Sequence, residues 1–300
     1  MHPTAAMVWD WGMALELATP TVDGLSSAID ALRDWQTDGS PHQLHPGDLG
    51  WFWRFGAEKT AASTRVWSRD GVVLAVGLLD EVDMLRVALA PDALRDEELT
   101  QQLVTDLTQP ERGLLPAGKV YLESPNGSLL KERLAAEGWQ LDAPWVPVRR
   151  DLTDPVEDPG LRVDLVGTEE AHERALVQRE SFAGSTFTDD RWFTMADGPL
   201  YADARCLLGR NELGESVAAV TVWFAGAGKP GYLEPMGVHR IHRGRGYGRA
   251  ITLAAARTLR ELGASTAFTY TPASNVGAVA TYESAGFVRQ PETRDLVREA

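Results

Sequence analysis

Apolar residues recur at helical spacing over residues 246–262, where Ile251, Ala255, Leu259 and Leu262 share one stripe and Gly263 stands where a helix would end. Shorter stretches of the same kind cover 171–182, behind Thr168 as a candidate N-cap, and 276–284, ahead of Gly286. Between them the pattern changes to the alternation or short apolar runs of strands. It predicts strands over 161–166, 204–208, 217–224 and 232–238, with a turn at 211–215, then over 266–270, and a last one beginning at Phe287.

The first half shows the later part of the same order. Strands are predicted over 72–79, 84–89 and 119–122, and helices over 94–107 and 128–137. Gly138-Trp139 mirrors Gly286-Phe287, 148 residues later. Residues 151–160 are rich in Pro, Asp and Gly with little to bury, and read as a linker. The chain is therefore expected to be mixed α/β with two domains, 1–150 and 161–300. They are either an internal duplication or two unrelated halves with a similar element order.

Composition narrows the chemistry. The formal net charge of −14 argues against nucleic acid and anionic membranes as partners. It suits a cationic small molecule such as an amine. No apolar run reaches the roughly 20 residues of a membrane span. Met1-His2-Pro3-Thr4 leads into no basic region followed by an apolar core, so no secretory signal is expected. The single cysteine, Cys206, excludes an intrachain disulfide and fits a cytoplasmic setting. It lies in a predicted strand with no His nearby in sequence, which reads as a buried structural thiol. His42, His45 and Asp48 are loosely spaced, and Pro46-Gly47 predicts a turn there, so no metal is expected.

The segment 239–249 leaves a strand and opens a helix. Gly244, Gly246 and Gly248 let backbone approach a ligand closely. The first N–H groups of a helix lack internal partners and, with the helix dipole, form an anion site. Arg243, Arg245 and Arg249 concentrate positive charge in an acidic chain, and a pyrophosphate is the guest this arrangement suits. There is no Gly-Lys-Ser/Thr ending of a Walker loop, nor the Gly-x-Gly-x-x-Gly spacing of a dinucleotide fold.

Arg243-Gly244-Arg245-Gly246-Tyr247-Gly248 resembles the coenzyme A loop, Arg/Gln-x-x-Gly-x-Gly/Ala, of the GCN5-related N-acetyltransferase (GNAT) family. Residues 275–287 resemble its second motif, Asn-x-x-Ala followed by Tyr and Gly-Phe. The resemblance covers residues 161–300. It implies a mixed, mostly antiparallel sheet flanked by helices in each half. The first half is similar to a worn copy. Its counterpart of the loop, Pro91-Asp92-Ala93-Leu94-Arg95-Asp96-Glu97-Glu98-Leu99, has acids in place of glycines, and Leu134 stands where the offset puts Tyr282. Such a tandem resembles mycothiol synthase and related actinobacterial two-domain acetyltransferases.

The resemblance implies acetyl-CoA as co-substrate, held by Gly237, Val238, Arg243, Gly244, Arg245, Gly246, Tyr247, Gly248 and Arg249. Backbone near Gly237 and Val238 would pair with the pantetheine arm. Asn275 would contact pantetheine or cap its helix. The expected activity is direct transfer of an acyl group to an amine, the acceptor being a small molecule. Glu234, four residues before Val238, is the candidate base, with His239 in reserve; it could equally position the amine or face solvent. Tyr282 is the candidate acid, or a core tyrosine. Asp189, Asp190 and Trp192, with Phe187 and Phe193, could form an aromatic, acidic pocket for an ammonium group, or simply pack. The alternatives are a module that binds acyl-CoA without turnover, and an enzyme acting on protein amines or a hydroxyl.

Overall fold

The computed structural model describes residues 15–299; the reading of Met1-His2-Pro3-Thr4 lies outside the described residues. The first half runs β1 (Leu15–Ala18), α1 (Leu25–Asp34), α2 (Pro46–Phe52), α3 (Ala57–Ser63), β2 (Thr64–Arg69), β3 (Val72–Glu81), β4 (Met84–Leu89), α4 (Glu97–Thr108), β5 (Val120–Glu123), α5 (Leu129–Ala136) and β6 (Gln140–Asp151). The second runs β7 (Arg162–Leu165), α6 (Ala171–Ser181), α7 (Asp189–Ala196), β8 (Ala204–Arg210), β9 (Ser216–Trp223), β10 (Gly231–Val238), α8 (Tyr247–Leu262), β11 (Thr266–Pro272), α9 (Val276–Ser284), β12 (Val288–Arg289) and β13 (Thr293–Arg298).

Among the described residues the strands form one sheet in the order β1-β2-β3-β4-β5-β13-β6-β11-β10-β9-β8-β7, with β12 beside β6. Each half contains an antiparallel run ending in one parallel pair, β4 with β5 and β10 with β11. The next strand in each case comes from the other half. β13, at the end of the chain, lies against β5, and β6 lies against β11. β13 and β6 pair with each other and join the two runs. This exchange lies behind two differences from the sequence reading. Residues 140–151, ahead of the expected linker, are a strand paired on both sides, and the strand expected from Phe287 is divided into β12 and β13.

Local chemistry explains the other departures. Helix α4 starts at Glu97, not at residue 94, because the Asp96 side chain accepts from the Leu99 N–H and fixes the first turn there. Thr168 does not cap α6; Glu170 holds the N-cap position and turns its carboxylate back to the Gly167 N–H at 2.8 Å. The turn expected at Pro46-Gly47 is the first turn of α2. Proline at the first helical position needs no N–H partner. A reciprocal box closes the end, with His45 Nδ1 accepting from Gly47 N–H and Asp48 accepting from His45 N–H.

In the second half α8 packs across β8–β11 through Ile251, Ala255 and Leu259, all fully buried. Gly263, in the left-handed region at φ 92°, ends the helix as its position predicts. Strand β9 is buried on both faces, between α6 and α8, which is why its apolar run is nearly continuous. This frame holds β10, on which the candidate site depends.

Candidate active site

Strands β10 and β11 pair only at Gly231–Ala267 and Tyr232–Phe268. Beyond Tyr232 they part. The register of β10 against β9 also slips between Leu233 and Met236, so that Glu234 and Pro235 stand opposite a single residue of β9. A bulge of this kind bends the strand and turns its side chains anew. The parted strands leave a wedge with an opening on each side.

On one side lies a cleft of about 670 Å³. It is lined by Gly237 and Val238 of β10, by Arg243, Gly244, Gly246, Tyr247, Gly248 and Arg249 of the glycine turn, and by Asn275 with other α9 residues. Of the positions expected to hold the co-substrate, Arg245 alone is not on this wall. Gly244 and Gly246 have φ of 74° and 84°, a backbone that other residues adopt only at a cost. Gly246 leaves the N-terminus of α8 with no side-chain cap. The unpaired N–H groups and the dipole therefore face the cleft without an internal carboxylate in the way. The arginines are less free than the sequence suggests. Arg243 donates to the carbonyl of Ser181 at 2.7 Å, and Arg249 to the carbonyl of Ser284 at 2.8 Å and to Glu157. Asn275 caps α9, its Oδ1 accepting from Ala278 N–H at 3.2 Å, while also lining the cleft.

The first half offers a direct contrast. Where α8 is uncapped, the start of α4 is occupied by Asp96, which Arg69 holds with two hydrogen bonds of 2.8 and 3.0 Å. Glu97 and Glu98 follow in the first turn.

On the other side of the wedge lies a cavity of about 330 Å³. Both halves build it. Asp80, Glu81, Met84, Arg86 and Glu123 come from β3, β4 and β5, while Tyr232, Glu234, Tyr270, Thr293 and Asp295 come from β10, β11 and β13. The Glu234 carboxyl is pushed up to about 7, first by burial and then by Asp48, with Arg86 opposing. That range suits a group that must take a proton near neutrality. Arg86 is bound from several directions, donating to Asp48 at 2.8 Å, to Glu123 at 2.7 Å and to the Tyr270 hydroxyl.

Tyr282 sits on the inner face of α9, 5% exposed, with Val279 one turn away. Ala278, Thr281 and Ser284 of the same helix line the cleft, and Tyr282 does not. Burial raises its hydroxyl well above the ordinary value, and the charge of Glu234 raises it further. Its neighbour Thr269 donates to the carbonyl of Leu233, so the hydroxyl lies beneath the parting strands. His239 caps a short turn before the glycines and faces neither Glu234 nor the second cavity.

Asp189, Asp190 and Trp192 lie on α7, away from both openings. Asp189 bonds to His172 at 2.9 Å, and Trp192 is buried against Phe193 and Tyr201. Cys206 is buried under the Arg174 guanidinium, whose Nε lies 3.2 Å from the sulfur. Sequence reasoning missed Arg86, Glu123, Tyr270 and Asp295; Arg86 and Glu123 are register partners in the first half's own parallel pair, and the joining of the two runs brings Tyr270 and Asp295 to them. Asp48 it took for part of a turn.

The sequence profile of the acetyltransferase (GNAT) family matches residues 170–287. None of the curated proteins matches the chain. Several solved structures share the fold over nearly the whole length. A GCN5-related N-acetyltransferase from Sphaerobacter thermophilus is 18% identical with a TM-score of 0.60, covering 95% of each chain. A tandem GNAT protein from the clavulanic acid biosynthesis pathway is 15% identical with a TM-score of 0.63, over 95% of this chain and 98% of its own. A GNAT-family acetyltransferase from Colwellia psychrerythraea is 15% identical with a TM-score of 0.60, over 96% of this chain and all of its own.

Proposed function

We propose that this chain, whose residues 170–287 match the GNAT family profile, is an N-acetyltransferase whose second half binds acetyl-CoA in the cleft at α8 and transfers the acetyl group to a small-molecule amine in the cavity at Glu234. One contrast carries the reading. The N-terminus of α8 is uncapped and opens on a cleft that runs to β10, while α4 is closed by its own Asp96. Residues 1–150 then act as a non-catalytic lobe that contributes acceptor contacts.

The chemistry follows from where the groups stand. The pyrophosphate would rest on the N–H groups of the α8 turn, where the dipole favours negative charge. Gly237 and Val238, at the parted edge, would direct the pantetheine arm toward the wedge. The amine nitrogen attacks the thioester carbonyl, the C–N bond forms and the C–S bond breaks. A backbone donor near Val238 aimed at the carbonyl oxygen would contribute on the order of 3 kcal/mol to the transition state. Glu234 accepts the proton the nitrogen loses, and Tyr282 is the proposed donor to the leaving sulfur.

The test is a thiol-release assay with acetyl-CoA and a panel of amines, together with calorimetry of acetyl-CoA binding. One site per chain and amine-dependent release are expected. Binding with no release for any amine would make the chain an acyl-CoA sensor, and two equivalent sites would return the first half to service.

A further inference from the structure

The second cavity has a composition that specifies its guest. Five carboxyl side chains line it, Asp80, Glu81, Glu123, Glu234 and Asp295, against the single guanidinium of Arg86. That guanidinium is already matched by Asp48 and Glu123 at 2.8 and 2.7 Å, so it has little left to offer a ligand carboxylate. His42, on the same wall, is held neutral by burial, which lowers it to about 4. Lys131, close to Glu123 and Asp295, gives its ammonium to Asn126 and to the carbonyl of Arg294 and does not line the cavity.

Three of the carboxyls have no partner among the described residues, and of these Glu81 is exposed while Glu234 and Asp295 are partly buried. Among the described residues, the side chains of Glu234 and Asp295 make no hydrogen bond and no ion pair. Glu234 is on β10 of the second half, and Asp295 on β13, the strand placed in the first half's run. Between the carboxyls the walls are aromatic. Tyr232 and Tyr270 stack with centroids 5.5 Å apart, and Trp145 meets Tyr270 edge-on at 6.1 Å. Aromatic faces accept both methylene groups and cations. The volume of about 330 Å³ corresponds to roughly ten waters, which limits the guest to a small molecule.

Resting on the acetyltransferase reading, we infer that the acceptor is a small aliphatic amine with a second positive charge, its reacting nitrogen at Glu234 and its other cation at Asp295. A monoamine would leave Asp295 unmatched. A zwitterionic amino acid would bring a carboxylate into a cavity whose one guanidinium is already taken. A compact dication satisfies the two partly buried free carboxyls and lays its carbon chain along the tyrosines.

The probes are butane-1,4-diamine, pentane-1,5-diamine, butylamine and 4-aminobutyrate, titrated calorimetrically into the full chain at constant ionic strength, with and without acetyl-CoA. A diamine should bind at least about tenfold more tightly than butylamine, a difference of ~1.4 kcal/mol. The zwitterion should bind most weakly. In Asp295→Asn the diamine-to-butylamine ratio should fall toward one while acetyl-CoA affinity, the check on folding, is kept. Equal binding of mono- and diamine, preference for the zwitterion, or an unchanged ratio in Asp295→Asn would overturn the inference. None of these would touch the acetyltransferase reading, whose own failure would be loss of acetyl-CoA binding in the parent chain.

Discussion

The indole Nε1 of Trp223 donates to the backbone carbonyl of Glu234 at 2.6 Å, and so holds the bulge that carries the proposed base. The same ring is pressed from behind by the first half. A Cβ added to Gly50 of α2 would lie 2.3 Å from Trp223 Cζ3, and one on Gly47 would lie 2.5 Å from Trp223 Cβ. The two glycines are therefore contact surfaces for a rigid buried ring. Gly50→Ala should improve helix propensity by up to about 1 kcal/mol, yet the clash should outweigh it, at about 1–3 kcal/mol of destabilisation. Chemical denaturation should show the loss, and kcat should fall while acetyl-CoA affinity holds. A stabilised, fully active Gly50→Ala chain would mean that α2 can shift away and does not position Glu234.

What the sequence made legible was local. The glycine turn, α8 and α9 each carry their signal within about twenty residues, as a period of 3.6 with caps at the ends, and 276–284 was read to its observed bounds. The strands of the second half were found because apolar runs bounded by turns identify themselves. The opposite holds for β6, whose Pro144 and Pro147 and mixed polarity hide a strand that pairs with β11 and β13 from far along the chain. Register of that kind leaves no trace in a window. Most of the proposed acceptor cavity was lost with it, Glu234 excepted. Arg86, Glu123 and Asp295 come from three separate strands, and none belongs to a motif. Asp189 and Trp192 went astray for the converse reason. Acidic and aromatic neighbours on α7 suggest a pocket, but one acid binds His172 and the ring packs inward.

The cleft at α8 can be blocked without disturbing the fold. Gly277 lines it near the start of α9, is exposed, and has no atom within 4 Å of where a Cβ would stand. Gly277→Leu should fill part of the cleft and remove a helix-weakening glycine, raising stability by up to about 1 kcal/mol. Calorimetry should show acetyl-CoA affinity falling at least about tenfold, with Tm unchanged or higher. Parent-like affinity in the folded variant would place coenzyme A elsewhere.

Asp295 should leave a signature in stability against pH. Its carboxyl is pushed up from 3.8 to about 7, first by burial and then by Glu123, with Asp142 adding and Arg86 and Lys131 opposing. A raised folded pKa means that the folded chain keeps a proton the unfolded chain releases. The group's contribution is then complete below about pH 4 and is lost as pH rises through about 7. Asp295→Asn keeps the neutral form at every pH. The difference in Tm between variant and parent should therefore swing in the variant's favour between about pH 5 and about pH 8. Taking the difference cancels His42 and His45, which burial lowers and which cost stability on the acid side. A flat difference would give Asp295 an ordinary pKa and remove one reason to call it unmatched.

Glu234 and Tyr282 should separate by pH. With the Glu234 carboxyl at about 7, kcat/KM of the parent should rise through that value, because the acidic limb reports the base of the free enzyme. Glu234→Gln should remove the limb and lower the rate while leaving acetyl-CoA affinity alone. An acceptor amine losing its own proton gives a similar limb, so a weakly basic acceptor must be compared. Tyr282 behaves differently. Its raised hydroxyl stays protonated far into the alkaline range, so it can donate to a thiolate at any working pH and should add no limb of its own. The same raised value makes full proton transfer uphill. Its service to the leaving sulfur is then a hydrogen bond that strengthens as charge develops there. Tyr282→Phe keeps the ring in its buried seat and removes that donor. The rate of the chemical step should drop by about 10²- to 10⁴-fold, with the pH profile unchanged in shape and coenzyme A affinity kept. Single-turnover measurement is the check, since slow product release would mask the loss. Full activity of Tyr282→Phe in that measurement would return the residue to the core of α9, where its burial already places the ring, and the proton would then reach sulfur from solvent through the cleft.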